Sequence, residues 1–555
     1  MRGGDCLNQK IKSRYITGAA VLLISSVIVK VISAFYKIPL TAYIGAEGRG
    51  YFSVAYNLCL PIHALTMGAF PVALTKLIST ADAKGDTKGI YALKAASSKL
   101  FGLVGFAGMA VMLIAAKPYS VLISSSPESI YTILALAPSV FFSCLCACRR
   151  AYAEGFLDMK LTAASQLIEA FSKMVFGLLF ARVSLGLFCN EYAVYGTVLG
   201  SYAHSESEAL AHIYPFTSAF AMLGATFGSV LAYAFSLVYN RINYKVPKVG
   251  RGDVSLASRE LMSFSLTLVG ATAVQSLANF FDTSSVQYCL SLCDETALKE
   301  VYSYSGTDIH TYVLGIFATA LDFRNLVPSI VMALGVAAVP AVSSAYENGS
   351  ESFSNLISSI FKYSTVFSCL GGTVLMLFGD EILTVLFSKS NPDIAENASR
   401  ILFWFGATVV PSGVATTVVY CAQSLGFADK SIPSFIVGAA VRVLINFLLI
   451  PKSGIDILGS TASVFFGFLV IVIWNILIIT KYTNVKIGLF STFVKPVFCA
   501  VITYLSVFFI KSHNIFTINL YIDLMIYTTI SLTIFVSLLF FTKCMTLKDF
   551  IHKIL

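Results

Sequence analysis

The stretch LGSTASVFFGFLVIVIWNILIIT, residues 458–480, contains no charged side chain over a length that crosses the hydrocarbon core of a bilayer as a helix. The rest of the chain has the same character. Of its 555 residues, 57% are hydrophobic and 12% are charged, whereas a soluble domain carries about 25% charged residues. These values exclude a large soluble enzyme, a disordered chain and a secreted disulfide scaffold. We therefore predict an all-α polytopic membrane protein.

Fourteen apolar runs are long enough to be membrane-spanning helices. The runs are continuous, unlike the alternating ten-residue segments of a transmembrane barrel. The first run follows Lys10, Lys12 and Arg14, as in a signal peptide, but its length favours a true span. The predicted spans are residues 16–43, 51–75, 97–116, 129–148, 163–182, 214–239, 261–282, 312–343, 361–387, 400–423, 432–450, 458–480, 492–510 and 519–541.

Lys and Arg residues are unevenly distributed between alternate loops. With the N terminus placed in the cytoplasm, the inner segments hold about three Lys or Arg residues for each one in the outer segments, which is the bias of cytoplasmic loops. We therefore predict that both termini are cytoplasmic. The net charge of +9 can also attract anionic lipid, and it does not indicate a nucleic-acid partner. Two acidic outer loops, 183–213 and 283–311, are interpreted as solvated insertions.

Short motifs recur in both halves of the chain at a nearly constant offset. The motif GFLDMK at 155–160 matches GFADK at 426–430, and Pro138 matches Pro411. Six spans per repeat is an even number, so both repeats share one orientation. They are expected to be related by a pseudo-twofold axis along the membrane normal, with a site near the midplane. The predicted parts are an N-terminal six-helix lobe, 1–245, a C-terminal six-helix lobe, 246–485, and two additional spans with a cytoplasmic tail, 486–555.

Several charged residues and prolines fall inside predicted spans, where each charge costs at least about 2.5–3.5 kcal/mol. Lys173 and Arg442 occupy near-equivalent repeat positions, so each half supplies a cation that we expect to approach one central cavity. The surplus of cations favours an anionic substrate with a phosphate or diphosphate group. The candidate substrate-binding residues are Lys30, Lys37, Lys173, Asp282, Asp322, Arg324 and Arg442, and the candidate hinges are Pro39, Pro71, Pro328 and Pro340.

These residues also have structural interpretations. Lys173 follows Glu169 by four residues, so the two can form a neutral pair on one helix face. Asp322 and Arg324 are two residues apart and cannot pair with each other within a helix, so each needs another partner or water. The prolines can be kinks that only help packing.

No metal or nucleotide site is predicted. The twelve cysteines lie mostly within apolar runs and are interpreted as packing residues. The pattern G-x-x-G-x-G at residues 45–50 stands at a helix exit rather than after a strand, so it is neither a P-loop nor a dinucleotide-binding motif. We therefore expect no cofactor. We expect the energy for transport to come from an Na⁺ or H⁺ gradient, the membrane potential or downhill substrate flow.

Three blocks of sequence resemble a known superfamily of transporters. KVISAFYKIPLTAYIGAEGRG, residues 30–50, and MGAFPVALTKLIS, residues 67–79, resemble the first two spans of the stage V sporulation protein B and polysaccharide-flippase families. ALDFRNLVPSIVMALGVAAVPAVSS, residues 320–344, resembles span eight of the MurJ-type lipid II flippases. These families belong to the multidrug/oligosaccharidyl-lipid/polysaccharide exporter superfamily. The resemblance covers about residues 14–510.

The resemblance implies a MATE-like fold and a flippase for an undecaprenyl-diphosphate-linked sugar in a bacterial plasma membrane. The sugar would be lipid II or a polysaccharide repeat unit, for cell-wall, spore-cortex or polysaccharide synthesis, with cell-envelope synthesis proteins as partners. Lys37 matches the basic position before Ile-Pro-Leu in these families, Asp282 the acid of span seven, and Arg324 the cation of span eight. In this mechanism the cavity cations hold the diphosphate while the lobes rock, and the polyprenyl tail stays in lipid along spans thirteen and fourteen.

Two other functions fit the sequence less well than a flippase does. A cation-coupled multidrug antiporter needs buried acids for cationic drugs, and the surplus here is basic. A membrane-embedded glycosyl- or acyltransferase is disfavoured because only one histidine, His63, lies in a predicted span and no acidic pair stands in an inner loop. We therefore predict a transporter and not an enzyme.

Overall fold

The computed structural model describes the backbone of residues 2–244, 253–347, 353–452, 454–513 and 519–544. Within these ranges it describes the side chains of all residues except 2–20, 23, 69, 266–269, 271, 272 and 340. The described chain is almost entirely helical, apart from a small antiparallel hairpin that pairs Thr197–Val198 with Ser201–Tyr202.

The described residues form fifteen α-helices and three short helical turns of other types. Two π-helical turns, Tyr119–Ile123 and Phe490–Val494, and one 3₁₀ turn, Asp456–Leu458, adjoin the longer helices. The α-helices are α1 Arg2–Met67, α2 Ala69–Ala83, α3 Thr87–Pro118, α4 Ser129–Glu154, α5 Lys160–Tyr195, α6 Glu206–Asn243, α7 Val254–Ser291, α8 Glu295–Val301, α9 Ile309–Glu347, α10 Phe353–Phe387, α11 Pro392–Ser424, α12 Ala428–Leu449, α13 Gly459–Thr483, α14 Lys495–Ser512 and α15 Leu520–Phe541.

Twelve segments of the described chain are long and apolar enough to cross a membrane. The first, Ile24–Ala83, has 60 residues and contains residues 24–43 of the first predicted span and all of the second. At about 1.5 Å per residue it is far longer than one bilayer crossing requires. The seventh predicted span lies in α7, which is not among the twelve. The predicted spans fall on helix, except for Gly68 within the second span and the end residues Ile450 and Asn519. The chain is an all-α multi-pass membrane protein.

Helix α1 bends at Gly45, between the first two predicted spans. The backbone there has φ 64° and ψ −171°, a conformation that residues with a side chain rarely adopt. A Cβ at this position would lie 2.9 Å from the Tyr214 ring. Pro39 lies inside α1 without ending it, and Pro71 occupies the first turn of α2, where its missing N–H is tolerated. The described bend is therefore at a glycine, and the hinge roles of these prolines stay predictions.

The two predicted outer loops are shorter than expected. In the range 183–213, α5 continues to Tyr195 and α6 begins at Glu206, so only the hairpin and its flanks are not helical. In the range 283–311, α7 continues to Ser291 and the short helix α8 follows. The apolar pattern marks the part of a helix that lies in hydrocarbon, so polar turns that extend the same helix into the interface were assigned to loops.

The chain forms two compact units. The first unit comprises Met1–Phe280 and Ser305–Gly315, and the second comprises Phe281–Tyr304 and Ile316–Leu555. Helices α7 and α9 therefore contribute residues to both. The lobe boundaries predicted from the repeat stay a prediction.

Each unit has its own buried core. In the first unit Leu74, Ile78 and Phe101 pack with Cys148 and Tyr152. In the second unit one core contains Phe361, Val418 and Ile471. The two C-terminal helices, α14 and α15, pack on α10 through a further apolar cluster that includes Cys369, Cys499 and Phe535. The additional helices thus belong to the packed second unit.

Candidate functional site

Three predicted site residues meet inside the second unit. Asp282 of α7, Arg324 of α9 and Arg442 of α12, taken as whole residues, are each at most 8% exposed. Arg442 Nη1 donates to Asp282 Oδ2 at 2.8 Å, which makes a buried ion pair. The guanidinium groups of Arg324 and Arg442 lie 5.4 Å and 5.2 Å from the centroid of the Phe468 ring on α13. We call Asp282, Arg324, Arg442, Asn446 and Phe468 the arginine cluster.

The Arg324 side chain is held on several sides. Its Nε donates to Thr408 Oγ1 at 3.1 Å and its Nη1 donates to Asn325 Oδ1 at 2.9 Å. The Phe405 ring lies 5.9 Å from the guanidinium carbon. Nη2 is buried, and within the described part of the chain it has no hydrogen-bond partner. A guanidinium offers donors in a fixed plane, so Arg324 keeps one amino group available for an incoming acceptor.

Asn446 fixes the acid of the ion pair. It follows Arg442 by four residues and therefore lies on the same face of α12. Its Nδ2 donates to Ser285 Oγ at 2.8 Å and lies 3.5 Å from Asp282 Oδ1. Two side chains of α12 thus hold one end of α7, and the carboxylate cannot turn away from Arg442 without losing these contacts.

The charges of the arginine cluster do not balance. It contains two guanidinium groups and one carboxylate, so its formal net charge is +1. A buried surplus cation is costly unless an anion or other acceptors accompany it. The planar guanidinium matches phosphate geometry, so the cluster is suited to bind a phosphate-containing group.

Gly467 leaves room for the Arg442 side chain. A Cβ at Gly467 would lie 2.3 Å from Arg442 Cγ, because α12 and α13 approach closely at this level. We expect Gly467→Ala to displace Arg442 from Asp282 and to lower the free energy of unfolding by about 1–3 kcal/mol, the usual effect of overpacking. Thermal denaturation in detergent measures the change. Gly186→Ala in α5 is the control, since a Cβ there meets nothing within 4 Å. Equal stability of the two variants would contradict the role of Gly467.

In the first unit, Lys173 of α5 lies over two aromatic rings of α1. Its Nζ is 4.8 Å from the Tyr56 centroid and 5.6 Å from the Tyr36 centroid. Glu169, one turn earlier, accepts a 2.8 Å hydrogen bond from Arg150 Nη2 of α4. The carboxylate is therefore bound by a cation of a neighbouring helix. We call Tyr36, Tyr56, His63, Glu169 and Lys173 the lysine cluster.

The remaining candidates are placed as follows. Lys30 is exposed, whereas Lys37 and Asp322 are half-buried. Pro328 lies within α9, and the Pro340 side chain lies outside the described residues. The structure thus groups Asp282, Arg324 and Arg442 in the second unit and places Lys173 in a cluster of the first unit. The binding roles of all seven candidates, and the shared cavity of Lys173 and Arg442, stay predictions.

Sequence reasoning did not find the neutral residues of the two clusters. Asn446 had a usable signal, since it stands four residues after Arg442 in an apolar helix. Phe468 had none, because it is one of 44 phenylalanines. Tyr36 and Tyr56 are also ordinary residues of an apolar run, and only the fold brings them to Lys173.

Sequence comparisons match most of the chain. The family model described as polysaccharide biosynthesis protein matches residues 16–205. Stage V sporulation protein B of Bacillus subtilis (strain 168) is 21% identical over 491 residues, which cover 86% of this chain and 85% of that protein. Lipid II flippase MurJ of the same organism is 20% identical over 487 residues, which cover 83% of each chain.

Comparisons of the fold agree with the sequence. A structure of lipid II flippase MurJ in an inward closed conformation has a TM-score of 0.67 at 14% identity and covers 94% of this chain and 99% of its own. An inward-facing MATE family transporter of the MOP superfamily has a TM-score of 0.62 at 13% identity, and the match covers 81% of this chain and 95% of the transporter. The resemblance inferred from the sequence is therefore confirmed: the chain is similar along most of its length to stage V sporulation protein B and MurJ, and it has the fold of MurJ and of a MATE transporter of the MOP superfamily.

Proposed function

We propose that this protein is a flippase that moves a polyprenyl-diphosphate-linked sugar across a bacterial plasma membrane. The observation that carries the proposal is the arginine cluster, a buried site with surplus positive charge and an available guanidinium donor. The sequence similarity to a lipid II flippase and to a sporulation protein supports the same substrate class. The protein acts as a transporter and changes no covalent bond in its substrate.

The arginine cluster explains how a diphosphate could cross the hydrocarbon layer. Charged groups are strongly disfavoured at the bilayer centre, so the substrate needs cations that travel with it or stand at the midplane. Arg324 supplies its available Nη2 amino group, and Asp282 holds Arg442 beside the same Phe468 ring. Transport follows when the protein alternates between inward-open and outward-open states around the bound diphosphate.

A multidrug antiporter is the second candidate, because the fold also matches a MATE transporter. Cationic drugs need a carboxylate that is available to them. In the arginine cluster the carboxylate of Asp282 already binds Arg442. This arrangement favours an anionic substrate over a cationic drug.

Complementation tests the proposed function. The gene is expressed in a bacterial strain depleted of its own lipid II flippase, and the lipid II that an impermeant probe reaches at the cell surface is measured. We expect growth and surface-accessible lipid II to be restored. Lipid II that stays inside, together with export of cationic dyes at the same protein abundance, would contradict the flippase and support the antiporter.

Membrane orientation is a separate prediction. The Lys and Arg bias places both termini and the segment 240–260 in the cytoplasm. A single cysteine near Lys248, in a variant without the twelve native cysteines, is expected to resist an impermeant maleimide in intact cells and to react in inverted membranes. Tyr202→Cys, on the exposed hairpin, is the matched control and is expected to react in intact cells. Reaction near Lys248 from outside would refute this orientation.

A further inference from the structure

An apolar groove runs between four helices of the second unit. Its volume is about 530 Å³, and it is lined mainly by hydrophobic side chains of α10, α11, α13 and α14. Val501 of α14 and Ile473 of α13 are 50% and 49% exposed, so the groove opens on the surface of the unit. Because both residues lie within candidate membrane-spanning helices, the groove is suited to hold a hydrocarbon chain.

The length of the apolar groove matches one leaflet of a bilayer. Its lining extends from Thr365 to Met376 on α10 and from Phe465 to Ile476 on α13, which is eleven residue steps on each helix. At about 1.5 Å per step this is about 16 Å, and half of a hydrocarbon core is about 15 Å. An acyl chain of a phospholipid fills one leaflet, whereas an undecaprenyl tail is much longer. The groove therefore fits an acyl chain better than the tail of the proposed substrate.

A polar cavity of about 500 Å³ adjoins the apolar groove at one end, and Met376 and Tyr504 line both spaces. Beyond these two residues the polar cavity is lined by Asp380 of α10 and Arg400 of α11. The rings of Tyr504 and Phe508 stack at 5.9 Å beside it. Tyrosine is typical of the level at which hydrocarbon gives way to lipid headgroups. The two spaces together have the polarity of a phospholipid, with an apolar chain joined to a polar headgroup.

The polar cavity presents two opposite charges that do not bond to each other. Lys511 also lines it, but its ammonium group is bound by Glu381 and donates to the Leu377 carbonyl oxygen at 2.9 Å. Asp380 and Arg400 are exposed, and within the described part of the chain no ion pair joins them. A guanidinium is suited to a phosphate, and a carboxylate accepts hydrogen bonds from an ammonium group. A ligand that carries both charges therefore fits better than a purely anionic one.

We propose that this site binds a phosphatidylethanolamine lipid, with one acyl chain in the apolar groove and the headgroup in the polar cavity. Arg400 binds the phosphate, and Asp380 accepts hydrogen bonds from the primary ammonium group. A choline headgroup has no N–H donor and a glycerol headgroup has no positive charge, so lipids with these headgroups bind less tightly. The acyl chain contacts four helices, so bound lipid stabilises the second unit. The inference concerns a structural lipid and does not depend on the transported substrate.

Lipid titration of the purified full-length protein tests the inference. The protein is delipidated in detergent, and phosphatidylethanolamine, phosphatidylcholine and phosphatidylglycerol with the same acyl chains, and undecaprenyl phosphate, are added one at a time. Native mass spectrometry counts bound lipid, and the Tm is recorded at each concentration. We expect a Kd for phosphatidylethanolamine about fivefold below those of the other two phospholipids, the effect of one exposed charged contact. The same lipid should raise the Tm most.

Two charge variants test the headgroup contacts at exposed positions, where the fold is not disturbed. Asp380→Asn should raise the Kd for phosphatidylethanolamine about fivefold and leave that for phosphatidylglycerol unchanged, so the preference between the two is lost. Arg400→Gln should weaken the binding of both lipids, since each carries a phosphate. Glu396→Gln, at an exposed acid of α11 outside the lining of the polar cavity, is expected to behave as wild type.

Val501→Trp tests the apolar groove, because the larger side chain occupies the space of the acyl chain. We expect it to weaken the binding of phosphatidylethanolamine at least as much as Asp380→Asn does. Leu505→Trp, at a 58% exposed residue of the same helix outside the lining of the groove, is the matched control and should bind as wild type.

Three results would overturn the inference. Equal affinities for the three phospholipids would mean that only unspecific lipid contacts this surface, and an unchanged lipid preference in Asp380→Asn would remove the headgroup site. Undecaprenyl phosphate that binds more tightly than phosphatidylethanolamine, and is displaced by Val501→Trp, would assign the groove to the tail of the substrate and leave the flippase proposal intact.

Discussion

Arg324→Ala is expected to abolish complementation while the protein stays in the membrane at nearly normal abundance. One hydrogen bond to a charged group contributes about 1.5–3 kcal/mol, so loss of even one guanidinium contact in the transporting state corresponds to about a 10- to 150-fold loss of transport. The measurement is surface-accessible lipid II in the depleted strain, normalised to the amount of protein.

The structure gives the reason why a guanidinium is needed at this position. Thr408 and Asn325 orient the side chain, and Phe405 and Phe468 contact its faces, while Nη2 is left available. Lysine keeps the charge but lacks the planar set of donors. Arg324→Lys should therefore retain at most partial transport.

Controls separate a binding role from a structural one. Arg324→Met keeps most of the apolar stem and removes the charge, so it should fold at least as well as the alanine variant and still fail in transport. Arg241→Ala removes an exposed cation at the end of α6 and should transport normally. Normal transport by Arg324→Ala at matched abundance would show that Arg324 is structural and that the phosphate site lies elsewhere.

The sequence identified the charged residues of the arginine cluster but not their pairing. Repeat positions associated Arg442 with Lys173, whereas the structure binds Arg442 to Asp282. The hydropathy pattern shows which charged residues lie inside a span, where the free-energy cost of a charge is high. Which charge meets which depends on helix packing between residues far apart in the chain, and a single sequence does not contain this information.

In the first unit, the described partner of Glu169 also differs from the one that the sequence predicts. The spacing of Glu169 and Lys173 allowed a pair along one helix, yet the described bond of Glu169 is to Arg150 of α4. Arg150 Nε also donates to Ser165 Oγ at 2.7 Å, which holds the guanidinium at α5. Contacts between turns of one helix can be predicted from spacing. A competing contact from another helix cannot be predicted in this way. Such a contact nevertheless decides which charges are paired in the region.

Helix placement was predicted better than helix length. Apart from Gly68 and two end residues, all fourteen apolar runs lie on helix, because hydropathy reports directly on the cost of exposing polar groups to lipid. The helical turns up to Tyr195 were missed because they contain polar residues such as Glu191, and polar residues are allowed wherever a helix leaves the hydrocarbon. The bend at Gly45 was missed because one glycine among 37 has no distinguishing local signal.

Asp282→Ala is expected to reduce the free energy of unfolding by about 3–5 kcal/mol, because it leaves the buried Arg442 guanidinium without its counter-ion. The Asp282 and Arg442 side chains are only 11% and 6% exposed. The comparison variant is Glu169→Ala, which breaks the bond to Arg150. Those side chains are 34% and 17% exposed, so the acid's removal leaves a less buried guanidinium and we expect a smaller loss, about 0–1 kcal/mol. Thermal denaturation in detergent measures both.

The double variant Asp282→Ala, Arg442→Met separates stability from transport. It removes both charges, and a buried ion pair replaced by apolar groups is often neutral in stability, so most of the lost stability should return. Transport should not return, because the second guanidinium beside Phe468 is gone and Arg324 alone faces the diphosphate. A double variant that transports as well as wild type would mean that the ion pair only supports the fold. A double variant as unstable as Asp282→Ala would mean that the loss comes from packing around Asp282, since the unpaired charge is no longer present.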